Sequence, residues 1–234
     1  PLRQALGRVL AEYVISPIDV PAHDNSAMDG YAFAGSALAD GAETVLRVAA
    51  TVHAGDVPTM TTAPGDCVRI MTGAVMPPGL DTVVPQELCR LEGGRIRIAP
   101  GTLRAGDNRR LRGEDLSRGR PAVAAGRRLR PADLGLIASL GIAEVAVVRR
   151  LRVALFSTGN ELRTLGQPLD AGCIYDSNRY SLMGALERLD VEVIDLGLVR
   201  DDPEALAATL DEAIARADVV LTSGGVSVGA ADFT

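Results

Sequence analysis

Along the first thirteen residues, the apolar side chains Leu2, Ala5, Leu6, Val9, Leu10 and Tyr13 recur at helical spacing. This predicts an amphipathic helix, ended by Pro17 and Pro21. From about residue 21 to residue 110 the texture changes to short β-type runs at 45–48, 67–70, 82–84 and 95–98, separated by Gly, Pro and Asp. Regularly spaced short strands of this kind predict a small β domain. Residues 131–140 read as a helix with Pro131 in its first turn and Gly141 just past its end. The last third alternates: strand 151–156, helix 179–189, strand 191–196, helix 203–216, strand 218–221. Apolar strands alternating with helices predict a parallel sheet with right-handed crossovers. The expected fold class is α/β multi-domain. A discontinuous helical and strand base (1–20 and 111–148) carries an inserted small β domain (21–110). A three-layer α/β domain with a mostly parallel sheet follows (149–234), incomplete at its C-terminus because three strands leave an unpaired, buried-type edge.

In an open parallel sheet, ligands bind beyond the carboxyl ends of the strands. The first strand runs into Ser157-Thr158-Gly159-Asn160-Glu161 and the second into Arg200-Asp201-Asp202. The third runs into Thr222-Ser223-Gly224-Gly225-Val226-Ser227-Val228-Gly229, with Asp232 close behind. A Gly-rich loop after a strand suits an oxyanion, since glycine lets backbone N–H groups approach closely; its plainer reading is a strand-to-helix turn. Glu161, Asp201 and Asp232 read singly as caps or surface carboxylates. Gathered at neighbouring strand ends they would repel unless a hard cation joined them, and Mg²⁺ shared with substrate phosphate oxygens is the simplest resolution. Asp176-Ser177-Asn178 opens the first crossover helix and reads first as an N-cap, with ligand contact as the alternative. The polar segment 21–32 around Asp24, Asn25 and Asp29, and Thr72 ahead of Gly73, each read equally as tight turns or as anion contacts.

Composition narrows the classes. Acidic residues outnumber basic ones by 30 to 24, which argues against a general nucleic-acid binder. All 24 basic residues are arginine, so neither a Schiff-base lysine nor a P-loop lysine is available. Nine arginines fall between Leu103 and Arg130 against Asp107, Glu114 and Asp115, a local surplus of six positive charges in a chain of net charge −6. A solvated face and an anion-facing surface both account for it. Cys67, Cys89 and Cys173 lack metal-ligand spacing and read as free thiols of a reducing cytoplasm. His23 and His53 have no partner at zinc spacing, and neither sits near a nucleophile elbow, so a Ser-His-Asp triad is not expected. No apolar run reaches 18 residues and no signal-peptide pattern opens the chain, so a cytoplasmic protein with no membrane partner is expected.

Several segments together resemble the molybdopterin molybdenumtransferase family, the family of bacterial MoeA and the gephyrin E domain. They are residues 24–32 (Asp-Asn-Ser-Ala-Met-Asp-Gly-Tyr-Ala), 69–74 (Arg-Ile-Met-Thr-Gly-Ala), 81–84, 106–109, 113–115, 157–162, 176–178 and 222–229, in family order over nearly the whole chain. The resemblance implies Mg²⁺-dependent insertion of molybdate into adenylylated molybdopterin with release of AMP. It implies catalytic roles for Asp29, Thr72, Asp115, Glu161, Asp201 and Asp232, with Glu161, Asp201 and Asp232 as metal ligands. It further implies substrate binding by Ser157, Thr158, Gly159, Asn160, Asp176, Ser177, Asn178, Ser223, Gly224, Gly225, Ser227 and Gly229. A homodimer formed through the base domain is implied, with an active site between subunits and with molybdopterin adenylyltransferase and molybdoenzyme apoproteins as candidate partners. The chain opens without Met and stops inside a family motif at Asp232-Phe233-Thr234, so truncation at both ends is expected. A gephyrin-type scaffold module and a molybdopterin adenylyltransferase are the alternatives. The strand-end carboxylates argue against the first, and the long β insertion against the second.

Overall fold

The structure is a computed structural model that describes residues 1–224. It divides into two compact units, Pro1–Ala146 and the remainder from Val147 onward.

The first unit contains β1 (Val14–Ile15), β2 (Asn25–Ser26), β3 (Gly30–Phe33), β4 (Thr44–Val52), β5 (Asp66–Ile70), β6 (Thr82–Pro85), β7 (Cys89–Glu92), β8 (Arg95–Ile98), β9 (Arg109–Arg110), β10 (Pro121–Val123) and α1 (Pro131–Ser139). Six of these strands form one sheet in the order β6-β3-β5-β4-β8-β7, antiparallel except for the β4–β5 pair. Both faces of the sheet are buried. Ala32, Val68, Ile70 and Val83 pack on one side with Val52, Ala74, Met76 and Leu80. Tyr31, Phe33, Cys67 and Val84 pack on the other with Leu46, Ile96 and Ile98. Such near-continuous apolar runs follow from strands covered on two faces. The sheet register shifts between Val48 and Ala50, leaving Ala49 as an extra residue. That bulge reverses which face β4 addresses, because one inserted residue upsets the period of two. Leu46 and Val48 therefore join one core, and Ala50 and Val52 the other.

The helix expected over residues 1–13 does not form. A single 3-10 turn, Leu2–Gln4, is followed by Gly7 at φ +76°, outside any helical conformation. The chain then runs extended against residues 127–129, with hydrogen bonds from Leu10 N to Arg127 O (3.0 Å), Leu129 N to Arg8 O (2.8 Å) and Gly7 N to Leu129 O (2.9 Å). Leu10 and Ala5 are buried, whereas Leu6 and Tyr13, expected on the same face, are exposed. Helix α1 forms as expected. Asp133 accepts from Arg130 N at 2.9 Å, and Gly141 at φ +74° terminates the helix.

The second unit contains β11 (Arg152–Thr158), β12 (Leu162–Arg163), β13 (Ile174–Tyr175), α2 (Ser177–Arg188), β14 (Glu192–Val199), α3 (Pro203–Arg216) and β15 (Val219–Ser223). The sheet order is β14-β11-β15 and every pairing in it is parallel. The chain steps outward from β11 to β14 and then back across to β15, so right-handed crossovers place α2 and α3 on opposite faces. Central β11 is buried from Val153 to Thr158, and Phe156 packs with Val199 and Leu206. Asp176 caps α2 and Asp202 caps α3, each side chain accepting a backbone N–H three residues on. Strand β14 runs to Val199, beyond the expected end at Leu196, because a bulge opposite Leu155 and Phe156 lets Gly197 continue the ladder at φ +81°.

Candidate functional site

In the second unit the parallel register brings the three strand ends to one edge. Ser157 lies beside Leu198 and Ser223, and Thr158 lies beside Val199. Beyond them the loop from Gly159 to Glu161 turns over the edge, and Asn160 N donates to Asp201 Oδ2 at 3.1 Å. Two of the expected acidic residues, Glu161 and Asp201, therefore sit on adjoining loops. Glu161 is exposed, and its carboxylate bends back over Gly159, where a Cβ would meet both oxygens at 2.8 and 2.9 Å. Gly224, at φ +100°, presses against the same place: a Cβ there would stand 2.5 Å from Thr158 O. Only glycine permits this approach of the third strand end to the first. Thr158 Oγ1 and Thr222 Oγ1 are both buried without a hydrogen-bond partner among the described residues. Buried hydroxyls normally find partners, so two orphans at one sheet edge suit a polar ligand there.

Asp176 is drawn inward. It is 2% exposed, and its oxygens accept from Ser157 Oγ (3.1 Å), Arg179 N (3.2 Å) and Arg179 Nε (2.9 Å). Its neighbours Ser177 and Asn178 are exposed at the N-terminus of α2. Ser223 is half-buried at the end of β15, whereas Gly225, Ser227, Gly229 and Asp232 lie outside the described residues. Among the described residues, no three His, Cys, Asp or Glu side chains gather as a metal cluster; the expected trio included Asp232.

In the first unit Asp29 and Thr72 come together. Thr72 follows β5 and Asp29 precedes β3, neighbouring strands, and both Thr72 N and Thr72 Oγ1 donate to Asp29 Oδ1 at 2.7 Å. The backbone N–H of Thr72, and then its hydroxyl, hold the Asp29 carboxyl below the usual carboxylate range, so it is ionised at neutral pH. Its stabilising contribution is accordingly present above the unfolded pKa of about 4 and lost as pH falls through the lower folded value. Thr72→Val removes one of the two donors. Its expected result is an upward shift of the Asp29 pKa that stops short of the ordinary value, since the backbone donor persists; carboxyl-detected NMR titration checks this.

Asp115 Oδ2 accepts from Arg110 Nη2 at 2.5 Å. Arg110 also meets Glu114, Arg112 meets Asp19 at 2.6 Å, and Arg127 meets Asp133 at 2.9 Å. Much of the arginine-rich segment is thus neutralised within its own unit, in part by carboxylates distant in sequence. Arg179 and Asp195 were not singled out by the sequence; an Asp inside the apolar strand run Val-Ile-Asp-Leu was the available signal.

Residues 1–141 match the family model described as MoeA N-terminal region (domain I and II), and residues 154–234 match that of the probable molybdopterin binding domain. Among curated relatives, the molybdopterin molybdenumtransferase of Haemophilus influenzae is 46% identical over all of this chain and 57% of its own length. That of a Nostoc species is 45% identical over 98% of this chain and 53% of its own. The chain thus spans little more than half the length of these relatives. A crystal structure of the molybdopterin biosynthesis MoeA protein from Pyrococcus horikoshii superposes with a TM-score of 0.88 at 32% identity, covering 96% of this chain and 60% of that one. A second from the same organism gives 0.83 at 37% identity, covering 96% and 58%. No helix among the described residues is long and apolar enough to cross a membrane. With its motifs in family order and both of its units matched, the chain belongs to the molybdopterin molybdenumtransferase (MoeA) family.

Proposed function

We propose that this chain carries part of a transferase site that inserts molybdate into adenylylated molybdopterin and releases AMP. The observation behind the reading is the hydrogen bond from Asn160 N to Asp201, which sets two carboxylate-bearing loops beside the orphaned hydroxyl of Thr158. The strand-end hydroxyls and the backbone around Gly224 supply neutral donors, which suit the phosphate oxygens of a nucleotide-linked substrate and a tetrahedral oxyanion alike.

Mg²⁺ fits this edge by its donor chemistry. Glu161 and Asp201 offer hard carboxylate oxygens, and among the described residues no ion pair engages Glu161. When bound, the ion would offset charge on the pyrophosphate linkage and on the departing AMP. Asn160 N holds the Asp201 carboxylate in place through its donated hydrogen bond. Asp29, kept ionised by Thr72, and Asp115 belong to the same proposal, as do Gly225, Ser227, Gly229 and Asp232, which lie outside the described residues. A cytoplasmic homodimer is proposed, working with molybdopterin adenylyltransferase and handing its product to molybdoenzyme apoproteins. Division of residues 1–148 into a base (1–20 and 111–148) and an inserted β domain (21–110) is part of the same reading.

The test is AMP release from adenylylated molybdopterin by the full-length protein. Release should require both molybdate and Mg²⁺. Undiminished release in excess chelator would remove the metal from the reading, and no release under any condition would remove the transferase itself.

A further inference from the structure

Arg179 is the one arginine buried among the described residues, 4% exposed, and it carries a network that reaches three elements. Its Nε donates to Asp176 Oδ2 at 2.9 Å, and its Nη1 donates to both oxygens of Asp195 at 2.6 Å. Asp176 in turn accepts from Ser157 Oγ, at the penultimate residue of the central strand, and from Arg179 N at the start of α2. Asp195 sits at the β14 bulge, where it also accepts from Gly197 N at 2.9 Å. A single guanidinium therefore ties the end of β11, the N-terminus of α2 and the bulge of β14. Burial works against its charge, and the hydrogen bonds to Asp176 and Asp195 outweigh that, leaving its pKa raised.

The consequence falls on the neighbouring residue. Successive strand side chains point to opposite faces, so anchoring Ser157 on the Asp176 side commits Thr158 to the other. There Thr158 Oγ1 is buried, 6% exposed as a residue, with no partner among the described residues. Two residues further on, the backbone N–H of Asn160 donates to Asp201. The network thus sets the backbone from which every proposed contact of this loop departs.

We propose that Arg179 is a positioning residue: acting through Asp176 and Ser157, it holds the Thr158–Asn160 loop in the geometry that binds the anionic part of the substrate. The proposal rests on the function proposed above. A loop held in place before binding favours ground and transition states alike, so its loosening appears in KM rather than kcat.

The experiment compares Arg179→Lys with wild type in the full-length protein. A lysine keeps the charge but lacks the planar fork needed to serve both carboxylates. KM for adenylylated molybdopterin is expected to rise about tenfold, the scale on which supporting shells act, with kcat within about twofold. Amide hydrogen exchange at Thr158–Asn160 in the substrate-free protein is expected to quicken while that of β15 does not. A fall in the active fraction with KM and loop exchange unchanged would make Arg179 a structural staple only and overturn the proposal. Should Arg179→Lys fail to fold, Asp195→Asn, at a half-exposed carboxylate, removes one arm and is expected to raise KM in the same direction by a smaller factor. Were wild type to release no AMP, the functional reading would fail by itself. Loop exchange would still decide whether Arg179 holds the loop, since unchanged exchange in both variants overturns that.

Discussion

Gly30→Ala is expected to unfold the first unit. Gly30 opens β3 and is buried between Ile70 of β5 and Pro85 of β6. A Cβ built there would lie 2.0 Å from Val84 O, 2.9 Å from Val84 C and 3.0 Å from Pro85 Cα. All three are backbone atoms of a paired strand, so no side-chain rotation relieves the overlap. Either β6 separates from β3, losing ladder hydrogen bonds, or β3 shifts and disturbs both cores at once. Overpacking alone typically costs about 1–3 kcal/mol, and a backbone collision inside a sheet belongs in the exceptional range of about 4 kcal/mol or more. Against a total stability of about 5–15 kcal/mol, that is enough to leave much of the protein unfolded or insoluble. Gly135→Ala in α1 is the control: nothing lies within 4 Å of its Cβ position, and alanine there is expected to be neutral or stabilising by up to about 1 kcal/mol. Urea melts followed by circular dichroism compare the two. Similar midpoints would mean that the β3–β6 spacing accommodates a methyl group.

Glu161→Gln is expected to leave the fold intact and to cut turnover by on the order of 10²- to 10³-fold, the equivalent of several kcal/mol of metal-assisted charge stabilisation. The side chain is exposed and its amide analogue has the same size, so the melting temperature should not move. What changes is charge at the strand-end edge, where Glu161 and Asp201 together would hold the cation. Raising Mg²⁺ should recover part of the lost rate, because weakened binding of an ion is offset by its concentration. Turnover equal to wild type at limiting Mg²⁺ would remove Glu161 from the reaction.

Much of the architecture was legible because it is written in short-range patterns. The β-α-β-α-β order from Arg152 to Ser223 appeared in the alternation of apolar runs with helical spacing, and Pro203–Arg216 matched its expected bounds. The strand-end location of Ser157, Thr158, Glu161 and Asp201 followed from that order, since parallel strands leave their carboxyl ends on one edge. What escaped is set by partners far away in sequence. Residues 1–13 have helical periodicity, yet pairing with 127–129 and the left-handed Gly7 decide their conformation. Among the arginines, Arg112 is answered by Asp19 and Arg127 by Asp133, neither of which falls within the 103–130 window on one or the other side. The Asp29–Thr72 pair spans 43 positions, and the tie between Arg179 and Asp195 joins a helix start to a strand bulge. Spacing alone offers no signal for either.

The extra residue at Ala49 couples the two faces of the six-stranded sheet. Because β4 lends Leu46 and Val48 to one core and Ala50 and Val52 to the other, melting of one core is expected to pull on the other. The sheet is therefore expected to unfold as a single cooperative block. Damage to either apolar layer is felt at the far ends of β3 and β5, where Asp29 and Thr72 meet, and the reach of that carboxylate is inherited from the integrity of both layers.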